Sequence, residues 1–215
     1  IKNVVCMGMG EPTDNRDNVI KAIGVLTDRS GPNVPASKVT VSTVGSIEGM
    51  RRLAERVHAP GWHRLNLAVS LNAPNDEIRS SIMPINRAAP MAKLREAIEA
   101  WPIYGSAKIC FEYVLIPGVN DAPEHAVLVA DYIRGRGLYA GRSPLPGLLN
   151  VIPYNPRENS PWRAPEEEEE AIPITEDVWK VPILTPVGGP QIRFAEDIMP
   201  GRGRSPSSTR SKPMT

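Results

Sequence analysis

Cysteine, aromatic residues and long apolar runs are all scarce in this sequence, and each scarcity excludes a class of protein. The 215 residues include two cysteines, Cys6 and Cys110, too few for a disulfide scaffold or a four-thiolate metal site. The 4 Trp, 5 Tyr and 2 Phe are too few for extensive stacking on nucleic-acid bases. No run approaches the ~18 apolar residues of a membrane span, and no charged-then-apolar leader opens the chain. We therefore expect a cytoplasmic protein without membrane association, and a monomer.

Charge of one sign is also lacking, since 25 Lys and Arg face 24 Asp and Glu, for a net charge of +1. This balance excludes a globally basic nucleic-acid coat but leaves a local basic face possible. At about 150 residues per domain, the length predicts one domain with an appendage. The sequence starts at Ile1, inside an apolar run, which predicts that a segment upstream is missing.

Five β-rich runs alternate with five amphipathic helical patterns over the first 155 residues. Strands are predicted at 3–7, 38–43, 65–71, 108–116 and 148–155, and helices at 17–27, 47–57, 76–83, 90–101 and 123–134. Such repeats with short connections predict the α/β class, with parallel strands and right-handed crossovers, in a partial barrel. A doubly wound sheet gives a similar pattern and stays open at this point.

Glycine and polar residues follow the predicted strands, at the edge where parallel α/β folds bind ligands. Glycines after the first strand let a ligand approach the backbone, and Glu11 can accept hydrogen bonds from an ammonium group. A plain strand-end turn explains this segment equally well when it is taken alone. The segment is not a dinucleotide fingerprint, because the glycine spacing fails at Thr13, and no Gly-Lys-Ser/Thr follows to make a P-loop.

Six segments in order carry a resemblance to a known family. They are NVVCMGMGEP (3–12), VTVSTVG (39–45), NLAVSLNAPND (66–76), MPINR (83–87), FEYVLIPGVND (111–121) and NVIPYNP (150–156). Over residues 1–163 the chain resembles the radical S-adenosylmethionine methyltransferases of the RlmN/Cfr type, which methylate adenine at C2, or at C8, in 23S ribosomal RNA and transfer RNA. The resemblance implies a partial (β/α)6 barrel that lacks its first strand here, with S-adenosylmethionine and a [4Fe–4S] cluster at the carboxyl ends of the strands.

The resemblance also implies which residues contact the cofactor. Gly10 and Glu11 match the contact to the methionine amino group, and further contacts match Ser42, Ser70, Leu71, Asn72 and Asn155. Many relatives have His in place of Asn72, and an amide still donates and accepts hydrogen bonds. Taken singly, Ser42 and Ser70 could cap helices and Asn155 could stabilise a turn.

The cysteines of the family do not match. Its cluster is held by a Cys-x-x-x-Cys-x-x-Cys run that this sequence lacks, and Cys6 and Cys110 are predicted to be small buried residues within strands. Residues 195–199 resemble the start of the family's C-terminal segment, but Arg202 stands where the methyl-carrying cysteine belongs. We therefore assign no metal ligand and no catalytic residue, and expect an inactive fragment. The alternative is a non-catalytic remnant that binds S-adenosylmethionine or associates with RNA.

The whole sequence is predicted to divide into three parts: a core over 1–163, an irregular proline-rich acidic segment over 164–200 and a disordered basic tail over 201–215. Within the core, two groups of basic residues are candidates for contacts with RNA: Arg51, Arg52, Arg56, His63 and Arg64, and then Arg134, Arg136 and Arg142. Ordinary solvated surface charge is the alternative for both groups.

Overall fold

The computed structural model describes residues 2–8, 10–105, 107–166 and 183–184. Its elements follow in order: β1 (Val4–Cys6), α1 (Arg16–Thr27), β2 (Val39–Thr43), α2 (Ile47–Val57), β3 (Asn66–Ser70), α3 (Asp76–Ile82), α4 (Met91–Glu99), β4 (Ile109–Leu115), α5 (Pro123–Arg134), β5 (Gly147–Pro153) and β6 (Ile183–Leu184). Short 3₁₀ helices cover Ala36–Lys38, Pro84–Arg87 and Gly137–Tyr139. No helix in these ranges is both long enough and apolar enough to cross a bilayer.

All strand pairs are parallel, and the strands lie side by side in chain order from β1 to β6. A doubly wound sheet reverses its strand order at a switch point, so this order excludes that alternative and confirms the open barrel arrangement. Successive right-handed crossovers place the helices on one face of such a sheet. We call the opposite face the inner face.

The alternation of side chains along each strand explains the two faces. Val39, Val41, Val69 and Phe111 are buried on the helix side, in one cluster with helix residues such as Leu53. The intervening residues of the same strands, Ser42, Ser70, Cys110 and Glu112 among them, therefore lie on the inner face. The fold thus separates an apolar core from a face that carries polar side chains.

The five predicted strands and five predicted helices all form, with ends that differ by no more than three residues. β6 is an addition, because its two residues fall in the proline-rich segment where the sequence predicts irregular structure; they pair with Leu149 and Asn150 of β5. The predictions for 167–182 and 185–215, including the resemblance at 195–202 and the disordered tail, lie outside the described residues.

Candidate functional site

The loop after β1 is fastened to the loop after β2 by the carboxylate of Glu11. Its Oε2 accepts a hydrogen bond from the backbone N–H of Val44 at 2.7 Å, and its Oε1 accepts one from the N–H of Thr13 at 3.1 Å. The hydroxyl of Thr13 donates to the same Oε1 at 2.5 Å. Beside it, Gly10 is exposed, and a Cβ built there would have no atom within 4 Å. Glu11 is thereby held at the carboxyl edge of the sheet, next to open space.

Gly49 of α2 lets this loop approach the helix. A Cβ at position 49 would lie 2.6 Å from the hydroxyl oxygen of Thr13 and would also overlap its Cβ. Thr13 is 5% exposed, so it has little room to move away. The glycine is therefore required by packing of the Glu11 loop against α2.

We expect Gly49→Ala to lower the free energy of unfolding by about 1–3 kcal/mol, because the overlap outweighs the ~1 kcal/mol that alanine gains in helix propensity. Urea denaturation followed by circular dichroism measures this. Gly24→Ala in α1 is the matched control, since nothing lies within 4 Å of its added Cβ. Helix propensity alone should then stabilise that variant by up to ~1 kcal/mol. Equal effects in the two variants would contradict the packing role of Gly49.

Ser42 and Ser70 meet at one carboxylate on the inner face. Their hydroxyls donate to Oε2 of Glu112 at 3.2 Å and 3.3 Å. Ser70 pairs with Glu112 in the register of β3 and β4, and Ser42 reaches it from β2. The structure thus brings together two of the predicted cofactor residues, and neither hydroxyl caps a helix here.

Glu112 is a site residue that the sequence reasoning missed. It is 6% exposed, and burial raises the pKa of its carboxyl while the bonds from Ser42 and Ser70 partly lower it. No ion pair to it is present among the described residues. Strand parity was the available signal, because Glu112 lies two residues from Cys110 and Val114, in the middle of a strand that is otherwise apolar or aromatic.

The β3 end holds Leu71 and Asn72 in different ways. The side chain of Leu71 is fully buried in the apolar core, so only its backbone can face a ligand. Asn72 has φ +56, a left-handed conformation that Asn tolerates better than most residues. Its Oδ1 accepts from the N–H of Val114 at 2.9 Å, and its Nδ2 contacts Sδ of Met83 at 3.4 Å. The amide of Asn72 thus joins β3 to β4.

Two buried polar side chains fix the carboxyl ends of these strands. Arg79, with no exposed surface, donates to the carbonyls of Leu71 at 3.0 Å, Val44 at 2.8 Å and Ser70 at 3.1 Å. Asn120 donates to the carbonyl of Asn72 at 2.7 Å. Arg79 therefore ties β2 to β3, and Asn120 ties the β3 end to the loop after β4.

Asn155 lies apart from this network. It is exposed two residues after β5, and its side chain makes no hydrogen bond within the described ranges. Its position at the carboxyl edge agrees with the predicted placement, while its contact with a cofactor stays a prediction.

The two cysteines do not fit the ligand set of an iron–sulfur cluster. Cys6 belongs to β1 on the helix side, whereas Cys110 lies on the inner face of β4. Burial raises the pKa of the Cys6 thiol, and burial together with Glu112 raises that of Cys110 to about 11, which opposes the thiolate that a metal needs. Among the described residues, no group of three His, Cys, Asp or Glu could hold a metal ion.

Several arginines proposed for RNA are engaged in ion pairs. Arg51 bonds Glu48 at 3.0 Å and also pairs with Glu55, and Arg52 pairs with Glu48. These arginines hold the pKa of the Glu48 carboxyl at about 2. Elsewhere Arg142 bonds Glu99 at 2.7 Å and Glu96 at 3.1 Å, and Arg56 stacks 4.7 Å from the centre of the Trp62 ring. For these residues the structure favours ordinary surface charge.

Comparison with known proteins shows the family of the chain. Residues 1–129 match the family model described as the Radical SAM superfamily. The chain belongs to the radical SAM superfamily. Among solved structures it is similar to a radical SAM methyltransferase from Sphaerobacter thermophilus, with a TM-score of 0.69 and 32% identity, over 90% of this chain and 51% of that one. A domain of pyruvate-formate lyase-activating enzyme from Bacteroides vulgatus, with a TM-score of 0.55 and 15% identity, shares the fold.

Among curated radical SAM relatives, the chain is similar to proteins that act on RNA. It is 44% identical over 164 residues to a probable dual-specificity RNA methyltransferase RlmN from Roseiflexus sp.. It is 39% identical over 168 residues to the dual-specificity RNA methyltransferase RlmN from Syntrophotalea carbinolica. These alignments take in 75% and 78% of this chain but only 39% and 41% of the relatives. The chain thus spans about two fifths of the length of these relatives.

Proposed function

We propose that this chain is the S-adenosylmethionine-binding part of a radical SAM methyltransferase that acts on adenine in ribosomal and transfer RNA. The observation that carries the proposal is a polar edge of one parallel sheet, where the Glu11 carboxylate is anchored to the loop after β2 and where Ser42 and Ser70 meet at Glu112. The chain is 44% identical to a probable RNA methyltransferase. This edge is where parallel α/β folds bind ligands.

The described residues divide the work of binding. Glu11 presents an anchored carboxylate whose remaining lone pairs can accept from the ligand's ammonium group, beside the open backbone at Gly10. Ser42 and Ser70 face the adenosyl part from the inner face. Leu71 shapes the strand end through its backbone, whose N–H donates to the carbonyl of Glu112 and whose carbonyl accepts from Arg79. Asn155 supplies an amide at the edge that makes no hydrogen bond to the described residues.

Calorimetric titration with S-adenosylmethionine tests this proposal. We expect saturable binding by the chain, weakened at least ~10-fold in Glu11→Ala, which corresponds to the ~1.5–3 kcal/mol of a hydrogen bond to a charged group. Glu124→Gln, an exposed carboxyl on α5, is the control and should bind as the unaltered chain does. Absence of any binding, or equal binding by Glu11→Ala, would overturn the assignment.

Cys6 and Cys110 do not form a ligand set for the [4Fe–4S] cluster of the superfamily, and we assign no reaction step to them. We propose that the 215 residues alone do not catalyse methylation. After anaerobic reconstitution we expect far fewer than the ~4 irons per chain of a full cluster. A stoichiometric iron and sulfide content would refute this part of the proposal. The cytoplasmic location and the monomeric state stay predictions.

RNA as substrate is supported by the relatives, and the ion-paired arginines of α2 argue that its contacts lie elsewhere on the chain. Filter binding of a ribosomal RNA fragment over a salt series tests this. We expect weak binding whose salt dependence is the same in Arg51→Gln as in the unaltered chain. A reduced slope in that variant would place α2 at the RNA.

A further inference from the structure

The amino edge of the sheet, where its parallel strands begin, differs in charge from the carboxyl edge. Four segments lead from a helix into the next strand: 28–38, 58–65, 100–108 and 135–146. They contain one acidic residue, Asp28, and six basic ones: Arg29, Lys38, Arg64, Lys108, Arg136 and Arg142. The first four segments that leave a strand, 7–15, 44–46, 71–75 and 116–122, contain no lysine or arginine and three acidic residues: Glu11, Asp14 and Asp121. A nearly neutral chain thus presents a basic edge that attracts polyanions.

Three of these cations lie at the starts of neighbouring strands. Lys38, Arg64 and Lys108 stand one or two residues before β2, β3 and β4, and all three are exposed. Arg64 and Lys108 line one surface cavity of about 300 Å³, and none of the described residues that line it is acidic. Within the described ranges the three side chains make no ion pair. Unlike the arginines of α2, they are therefore available to an anionic ligand.

The floor of this cavity is held by Asn66, the first residue of β3. Its Nδ2 donates to the carbonyls of Ser37 at 2.9 Å and Val39 at 3.1 Å. These bonds fasten the start of β3 to the start of β2, so the backbone that carries Lys38 and Arg64 is fixed before any ligand arrives. Such preorganisation lowers the cost of binding.

An exposed aromatic ring lies beside these cations. His63 is exposed, and its ring meets that of Tyr104 edge to face, with the centroids 5.1 Å apart. The hydroxyl of Tyr104 lies 3.0 Å from Nδ1 of His58, which fixes the tyrosine ring. A second, small cavity is lined by His63 and Tyr104 together with Arg64 and Lys108, so rings and cations adjoin. Histidine and tyrosine rings stack on unpaired bases, and neighbouring cations bind the phosphates of the same strand.

We propose that the amino edge binds single-stranded RNA, with phosphates on Lys38, Arg64 and Lys108 and one base stacked on the ring of His63. The inference rests on the proposed function, because it gives the methyltransferase an RNA contact at the edge opposite to the candidate cofactor site. Three neighbouring strand starts span about 10 Å, which suits more than one phosphate. An acidic protein would engage the cations but has no use for the ring beside them.

Fluorescence anisotropy of a short labelled single-stranded RNA over a salt series tests the cations. We expect the double variant Arg64→Gln, Lys108→Gln to lower the slope of log affinity against log salt by about 1.4, since each phosphate contact to a single strand contributes about 0.7. The matched control is Arg51→Gln, Arg52→Gln, which removes the same charge from ion-paired residues of α2 and should leave the slope unchanged. Equal slopes in the two double variants would overturn the proposal.

An abasic RNA strand of the same length tests the ring. The unaltered chain should bind the intact strand at least ~5-fold more tightly than the abasic strand, the lower end of the effect of stacking one base on an aromatic side chain. In His63→Ala this ratio should approach 1 while the affinity for the abasic strand is kept. No preference for the intact strand, or equal affinity for poly-glutamate, would assign the edge to an acidic protein partner and contradict RNA binding.

Calorimetric titration with S-adenosylmethionine separates this inference from the proposed function. Because the two edges of the sheet are opposite, we expect Arg64→Gln, Lys108→Gln to bind the cofactor as the unaltered chain does. If the unaltered chain binds the cofactor but the two double variants bind RNA alike, only the role of the amino edge fails. If the unaltered chain binds RNA through this edge but no S-adenosylmethionine, the proposed function fails and the RNA contact stands.

Discussion

Arg79→Met is expected to lower the free energy of unfolding by about 3–5 kcal/mol, the largest loss that we predict for a single substitution in this chain. The guanidinium has no exposed surface, and beside its three carbonyl acceptors it donates to Oδ1 of Asn86 at 3.0 Å. Methionine fills much of the volume but leaves the carbonyls of Val44, Ser70 and Leu71 without these donors. Urea denaturation by circular dichroism measures the difference.

The kind of acceptor explains why an apolar residue cannot compensate. Where a buried ion pair is replaced as a whole, the new side chains remove both charges and stability can be kept. Here three of the four acceptors described for Arg79 are backbone carbonyls, which stay buried after the substitution and keep their need for donors. Arg87→Ala, on an exposed residue, is the control and should change stability by less than ~0.5 kcal/mol. A loss below ~1 kcal/mol in Arg79→Met would contradict the tie between β2 and β3.

The sequence alone predicts at which edge of the sheet the candidate site lies. Parallel strands place their carboxyl ends together, so motifs that follow separate strands can be assigned to one site without coordinates. The structure places Glu11, Ser42 and Ser70 at this side of the sheet, and their contact with a cofactor stays a prediction. The expectation did not depend on strand order, because the partial barrel and the doubly wound sheet that the sequence left open are both parallel.

The buried polar groups behind that edge were not predictable in the same way. Glu112 meets Ser42 across 70 positions of the sequence, and Arg79 reaches Val44 across 35. Each could equally be a solvated charge when only neighbouring residues are considered, since charged residues are rarely fully buried. Whether Glu112 and Arg79 are buried depends on the register of three strands and on the position of α3, and hydrophobic periodicity specifies neither. The burial of Glu112 beside Ser42 and Ser70 is therefore visible only in the structure.

The second large loss of stability is expected on substitution of Asn120, because this residue closes the β4 end of the site. It is 1% exposed; its Nδ2 donates to the carbonyls of Asn72 at 2.7 Å and Val114 at 2.8 Å, and its Oδ1 accepts from the N–H of Ile116 at 2.7 Å. We expect Asn120→Ala to lose about 3 kcal/mol, since three buried backbone groups lose their partner. Urea denaturation over a range of pH measures the free energy of unfolding of Asn120→Ala and of Asn120→Asp.

Asn120→Asp separates lost hydrogen bonds from wrong polarity. At neutral pH its carboxylate faces the carbonyls of Asn72 and Val114, acceptor against acceptor, so the variant should be less stable than Asn120→Ala. Burial and the two facing carbonyls both raise the pKa of the new carboxyl in the folded state above its unfolded value. The variant should therefore be most stable at acid pH and lose stability as pH rises through the folded pKa. Asn159→Asp, on an exposed residue, should show no such pH dependence beyond that of the unaltered chain. Equal stability of Asn120→Asp and Asn120→Ala at all pH values would mean that the two carbonyls do not depend on the donors of Asn120. The end of β3, and with it Asn72, would then be held by other contacts.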